Sequence, residues 1–173
     1  MNRKNDVGGS GFTLVELLVV VAILGILMAA VVWAINPLEI MKKSRDSARL
    51  SEMDSLRKAI DLALANGGTL AETIVPGDSS VVGASRAVDG TGYVTVDVSQ
   101  YLSILPVDPH NGASFTDATG RTVVGKYLYF SNGSTYELNC YLESASNAGK
   151  YATDGGDDPA IFEVGTDPGL DLM

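Results

Sequence analysis

Glu16 is the first residue that calls for a chemical explanation. It is the one charged side chain in a stretch that opens Phe12-Thr13-Leu14-Val15-Glu16 and runs on through 19 residues, Leu17 to Ile35. A carboxylate inside a membrane helix costs on the order of 2.5–3.5 kcal/mol at the bilayer centre, and less near its edge. A helix that only anchors a protein gains nothing from keeping one. Glu16 stands fifth after Gly11, and Met1 to Gly11 form a short polar leader whose Gly/Ser run is flexible and open to a protease.

Other residues offer less chemistry. Asp154, Asp157 and Asp158 cluster on an Asp-Gly-Gly-Asp-Asp turn. Calcium takes six to eight hard oxygen ligands from acidic loops of this kind. The spacing fits no full EF-hand loop, however, and a solvated acidic turn is the leading reading. Cys140 is the single cysteine, so no intrachain disulfide forms. His110 is the single histidine, and nothing pairs it with Cys140, so a buried unreactive thiol is expected. With no histidine cluster, no nucleophile beside a base and no phosphate loop, an enzyme has almost no support.

The elements that must hold these residues are legible from periodicity. Leu17 to Ile35 is long enough to span a bilayer, which takes about 20 apolar residues. It is too long for a secretory signal core of roughly 7–15 and lacks a small-residue exit. Gly25 permits close helix packing. Asn36-Pro37 interrupts the helix, and a kink is expected at Pro37. Beyond it, Met53, Leu56, Ile60, Ala63 and Leu64 recur at helical spacing. Lys42–Asp46 and Asp54–Lys58 stand as i,i+4 pairs, and Asn66-Gly67-Gly68 reads as a left-handed cap. One bent helix of about 55 residues would run roughly 80 Å, so its apolar half needs a membrane or the interior of an assembly.

The rest is a small, acidic globular segment. Six of the 21 acidic residues precede Asp61, leaving 15 from Asp61 onward against Arg86, Arg121, Lys126 and Lys150, in a chain of net charge −9. Such a surface disfavours direct nucleic-acid binding. The segment from 69 to 92 reads as loop, with short apolar pieces at Ile74-Val75 and Val81-Val82. Tyr93 to Val98 alternates like a strand, and Gln100 to Leu105 suggests a helical turn. Lys126–Phe130 and Thr135–Leu142 flank an Asn-Gly turn and predict a β-hairpin. Phe162 to Gly165 is expected to close the sheet.

The stretch from Gly11 to Glu16, with its apolar continuation, resembles the processing and assembly signal of type IV pilins and the related pseudopilins. That resemblance implies cleavage between Gly11 and Phe12 by prepilin peptidase, N-methylation of Phe12, and a docking role for Glu16 against the new α-amine of a neighbouring subunit. Leu105-Pro106-Val107-Asp108-Pro109 looks like a segment of the major pseudopilins of type II secretion. The likeness ends at His110-Asn111-Gly112, where an insertion runs to Gly125. Some pseudopilins bind calcium in a C-terminal loop, which the resemblance extends to Asp154, Asp157 and Asp158. Orientation follows from the motif, because Arg3 and Lys4 are outnumbered by Lys42, Lys43, Arg45 and Arg49.

The expected fold is α+β: a long kinked N-terminal helix whose second half packs on an antiparallel sheet of three to four strands. The expected divisions are a leader at 1–11, a transmembrane or filament-core helix at 12–36, an amphipathic half at 37–66 and a globular domain at 67–173. The leading function is a structural subunit, inserted in the cytoplasmic membrane with its globular part outside and polymerised with itself and other pilin-like subunits. Before assembly its helix partners membrane lipid; no cofactor is expected apart from the calcium reading. The alternatives are a major-type secretion pseudopilin and, from another class, a membrane-anchored extracytoplasmic binding module that keeps its leader.

Overall fold

A computed structural model describes residues 11–81 and 85–173. The leader before Gly11, and Val82 of one short apolar piece, lie outside the described residues. The chain separates into two compact units, one ending at Ile40 and one beginning at Met41.

In the first unit, α1 spans Leu14–Ile35. It begins two residues later than Phe12 because Thr13 is extended (φ −75°, ψ 151°) and caps the first turn. Every described residue from Gly11 to Ile35 whose side chain is placed is exposed. Leu14–Trp33 is long and apolar enough to cross a membrane. The expected single bent helix is two helices: α1 ends on Asn36, which is left-handed (φ 46°), and α2 begins at Pro37 and runs to Ala65. Proline lacks an amide hydrogen and pushes its predecessor out of the α region, and asparagine tolerates the left-handed basin.

In the second unit α2 buries Asp46, Arg49, Met53, Leu56, Ala59, Ile60 and Ala63, a stripe of three- and four-residue steps. It ends where expected: Gly67 has φ 90°, and the Gly68 amide donates to the Ala63 carbonyl at 2.9 Å. The apolar stripe meets an antiparallel sheet of order β1-β4-β5-β6. Its strands are Gly77–Asp78 (β1), Tyr127–Ser131 (β4), Tyr136–Cys140 (β5) and Phe162–Gly165 (β6). Tyr127 pairs with Cys140, Tyr129 with Leu138 and Ser131 with Tyr136, so the tyrosines join the core of Met53, Leu56 and Ile60.

The opposite face is not open to water. Leu128, Phe130, Glu137 and Asn139 are buried there as well. The chain end straps this face: the Leu172 amide donates to Glu137 Oε2 at 2.8 Å, and Asn139 Nδ2 reaches the Met173 sulfur at 3.4 Å. On the same face Leu128 and Phe130 line a cleft of about 400 Å³ with Val75, Val81, Tyr141 and Met173.

Two expectations are corrected. Tyr93–Val98 forms no ladder; among the described residues it makes one isolated bridge, Asp89 to Asp97. Tyr93, Val94, Val96 and Val98 are nonetheless buried, so the alternation reports burial without strand pairing. The helical turn expected over Gln100–Leu105 falls earlier, at Val98–Leu102, where the Tyr101 and Leu102 amides both donate to the Val98 carbonyl. The insertion after His110 folds as a separate hairpin, Ser114–Thr116 (β2) with Thr122–Val124 (β3).

Gly77 marks where this irregular segment presses on the sheet. A Cβ there would stand 1.8 Å from the Tyr93 carbonyl oxygen. Gly77→Ala is therefore expected to lose about 1–3 kcal/mol of stability through overpacking, read as a lower denaturation midpoint at unchanged slope.

Candidate functional site

Phe12 is exposed and Gly11 precedes the helix, so the Gly11–Phe12 bond lies in exposed backbone ahead of α1. Four residues on, Glu16 is held by its own chain. Its Oε2 accepts from the Thr13 amide at 2.9 Å and from Thr13 Oγ1 at 2.8 Å. In return the Glu16 amide donates to Thr13 Oγ1 at 3.2 Å. This reciprocal box satisfies two free donors of the first turn and sets an anion at the positive end of the helix dipole. Thr13 is the partner that sequence reasoning passed over. The signal was present, since Thr-x-x-Glu ahead of an apolar run is a capping pattern.

A second polar assembly lies in the globular unit and was not anticipated. Arg49 is fully buried and donates to Asp108 through Nε at 2.7 Å and Nη2 at 3.0 Å. Its Nη1 meets Asp46 at 2.9 Å and Glu143 at 2.8 Å. Arg45 grips Glu143 at 2.9 and 2.6 Å, and His110 Nε2 lies 3.2 Å from the same carboxylate. Asp46 also accepts the amides of Glu143 and Ser144, at 2.7 and 2.8 Å, and Asn147 Nδ2 at 2.7 Å. The guanidinium lies 4.7 Å from the centre of the Phe115 ring.

Burial alone would lower the Arg49 pKa, but its bonds to Asp108 and Glu143 outweigh that and hold it above the usual arginine range. Burial would raise Glu143, and Arg45 and Arg49 hold it low instead. The expected Lys42–Asp46 surface pair is thus replaced, because Asp46 turns inward to Arg49. Asp54–Lys58 forms as read, at 2.5 Å. Asp108 of the Pro106–Pro109 turn is the residue that turn delivers to Arg49.

Two carboxylates of the acidic turn, Asp154 and Asp158, are engaged by backbone amides. Asp154 accepts from the Gly156 and Glu163 amides, and Asp158 from the Ala160 amide. Among the described residues no group of three His, Cys, Asp or Glu is placed to hold a metal ion. Cys140 is fully buried, and burial pushes its thiol well up, away from reactivity. A cleft of about 420 Å³ beside α2 and β6 is lined by Leu50, Met53, Arg57, Lys150, Asp154 and Phe162, among others.

Fold and motif fall together: the chain is an α+β protein with a pilin-like set of elements, an apolar N-terminal helix, a second amphipathic helix and a small antiparallel sheet. Residues 9–32 match the family described as Prokaryotic N-terminal methylation motif. Over 148 residues the chain is 26% identical to a protein of Pseudomonas aeruginosa named "Fimbrial protein", covering 81% of this chain and 90% of that one. No solved structure matches.

Proposed function

We propose that this chain is a structural subunit of a type IV pilus or pseudopilus. Prepilin peptidase cuts it between Gly11 and Phe12 and methylates Phe12, and the subunit then passes from the cytoplasmic membrane into a filament. The observation that carries this reading is a membrane-length helix with all its described side chains exposed and one carboxylate, Glu16, in its first turn. An exposed apolar helix is stable only in lipid or against other apolar helices.

In the single chain Thr13 satisfies the Glu16 carboxylate, which lowers the penalty of carrying it at the membrane edge. In the filament the cationic α-amine of a neighbouring Phe12 competes for the same oxygens with a charge-assisted bond. Assembly is then a partner exchange at Glu16, from its own Thr13 to another subunit's terminus.

Intact-mass and N-terminal analysis of membrane-extracted protein from the native host tests the processing step. The expected product begins at methylated Phe12. A chain still carrying Met1 to Gly11, in cells with active leader peptidase, sinks the reading and leaves the anchored binding module. Glu16→Ala is expected to be cut normally yet to be lost from sheared filaments by at least ~10-fold, the factor that about 1.4 kcal/mol of docking energy sets. Filament yield equal to wild type would remove Glu16 from the mechanism.

A further inference from the structure

Three Asn-Gly pairs occur in the chain, Asn66-Gly67, Asn111-Gly112 and Asn132-Gly133, and the fold treats them differently. An Asn-Gly peptide can convert itself, because the glycine amide nitrogen has no neighbouring Cβ to hinder attack on the asparagine side-chain carbon. The Gly67 amide is tied to the Leu64 carbonyl at 3.0 Å, and the Gly112 amide to the Gly125 carbonyl at 2.9 Å. Asn111 is further clamped at both ends, since its Oδ1 accepts from Ser79 Oγ and its Nδ2 donates to the Ser79 carbonyl.

Asn132-Gly133 is placed for reaction. Its nucleophile, the Gly133 amide, is held only by the Ser131 hydroxyl at 3.1 Å. Asn132, Gly133 and Ser134 are exposed at the tip of the β4–β5 hairpin. The Asn132 Oδ1 accepts two backbone amides, Ser134 at 2.9 Å and Thr135 at 2.8 Å. Two fixed donors on a carbonyl oxygen stabilise the negative charge that develops there when the carbon is attacked. The leaving nitrogen, Nδ2, lies 2.8 Å from Thr135 Oγ1.

We propose that Asn132 is a self-modification site, converted to aspartate and isoaspartate by its own turn. The Gly133 nitrogen bonds to Cγ of Asn132 and loses its proton to solvent. The Cγ–Nδ2 bond breaks, and the nitrogen takes up a proton and departs as ammonia, leaving a five-membered succinimide. Water then opens the ring at either carbonyl, giving aspartate or isoaspartate and restoring the Gly133 N–H. The new carboxylate stands beside Thr135, whose hydroxyl already donates to Asp167 at 2.5 Å. The hairpin tip thus gains a negative charge near an existing one as the protein ages.

The test uses full-length protein in detergent, incubated at mildly alkaline pH and digested after Lys and Arg. That cleavage puts the three pairs on separate peptides, Ala59–Arg86, Ala87–Arg121 and Tyr127–Lys150. Mass spectrometry is expected to show Asn132 converting about 5-fold faster than Asn66 or Asn111, the factor that one extra backbone hydrogen bond of about 1 kcal/mol sets. In concentrated urea the three rates should converge. Equal rates in the folded protein, an unmodified Asn132, or a preference that persists in urea would each overturn the proposal.

Discussion

Replacing Arg49 with alanine is expected to remove about 3–5 kcal/mol of stability and to lower the unfolding midpoint by roughly 10–20 °C. The loss would not come chiefly from a missing attraction. Arg49 is the fully buried cation facing Asp46, Asp108 and Glu143, and its removal leaves Asp46 and Asp108 buried without it. Arg45 can still hold Glu143, and backbone amides still hold Asp46. Asp108 has the least left, the His110 amide at 2.7 Å. Arg49→Lys keeps the charge but not the planar fork that meets Asp108 twice, so an intermediate loss is expected. Circular dichroism during thermal unfolding of the full chain in detergent checks both. A wild-type midpoint for Arg49→Ala would mean that the hub does not tie α2 to the segments bearing Asp108 and Glu143.

The second large effect concerns pH. Glu163 on β6 is fully buried, opposite Asn139 on β5. Asn139 Oδ1 and Glu163 Oε1 are the buried side-chain atoms without a hydrogen-bond partner among the described residues. Both accept when Glu163 is ionised, and neither finds a donor. Burial above all, with Glu137, Asp154 and Asp157 adding to it, pushes the Glu163 carboxyl up to about 8. Burial raises Glu137 as well.

A carboxyl whose folded pKa lies above its unfolded value binds more protons in the native state. Its contribution is complete below about 4.5 and is lost as pH rises toward about 8. Stability should fall by on the order of 2–4 kcal/mol across that window. Glu163→Gln brings a permanent donor, so its profile should be flatter and cross the wild type, being the more stable at alkaline pH. Denaturation midpoints at several pH values decide it, and a wild-type slope in the variant would assign the pH dependence to other groups.

Legibility of the sequence divided along range. The lone glutamate, the membrane-length helix and the Asn-Gly hairpin are set by neighbours a few residues apart, so spacing exposed them, although the Thr13 cap on that glutamate went unread. The Arg49 hub could not be found this way. Its members lie 59 and 97 residues apart along the chain, and each looks like an ordinary surface charge in its own window. Asp46 was read with Lys42 for that reason. Tyr93–Val98 failed differently: its period of two was genuine, but it recorded which side chains point inward rather than a pairing partner. Glu137 and Glu163 alternate as solvent-facing residues would, and only the returning chain end over Glu137 and the acidic turn over Glu163 explain why they are dry.

The borders of the main sheet bear on the proposed packing of this chain into a filament. One border strand, β1, has two residues, and the other, β6, has four and gives way to Thr166 and Asp167. Unpaired strand borders are templates that recruit further chains, and shortness with flanking charge blunts them. At the crowding inside a fibre, a long bare border would open a rival route to polymerisation, irreversible and indifferent to register. With both borders stubby, the main sheet offers other chains little to pair with, so the proposed assembly through the helices meets no rival of this kind from that sheet.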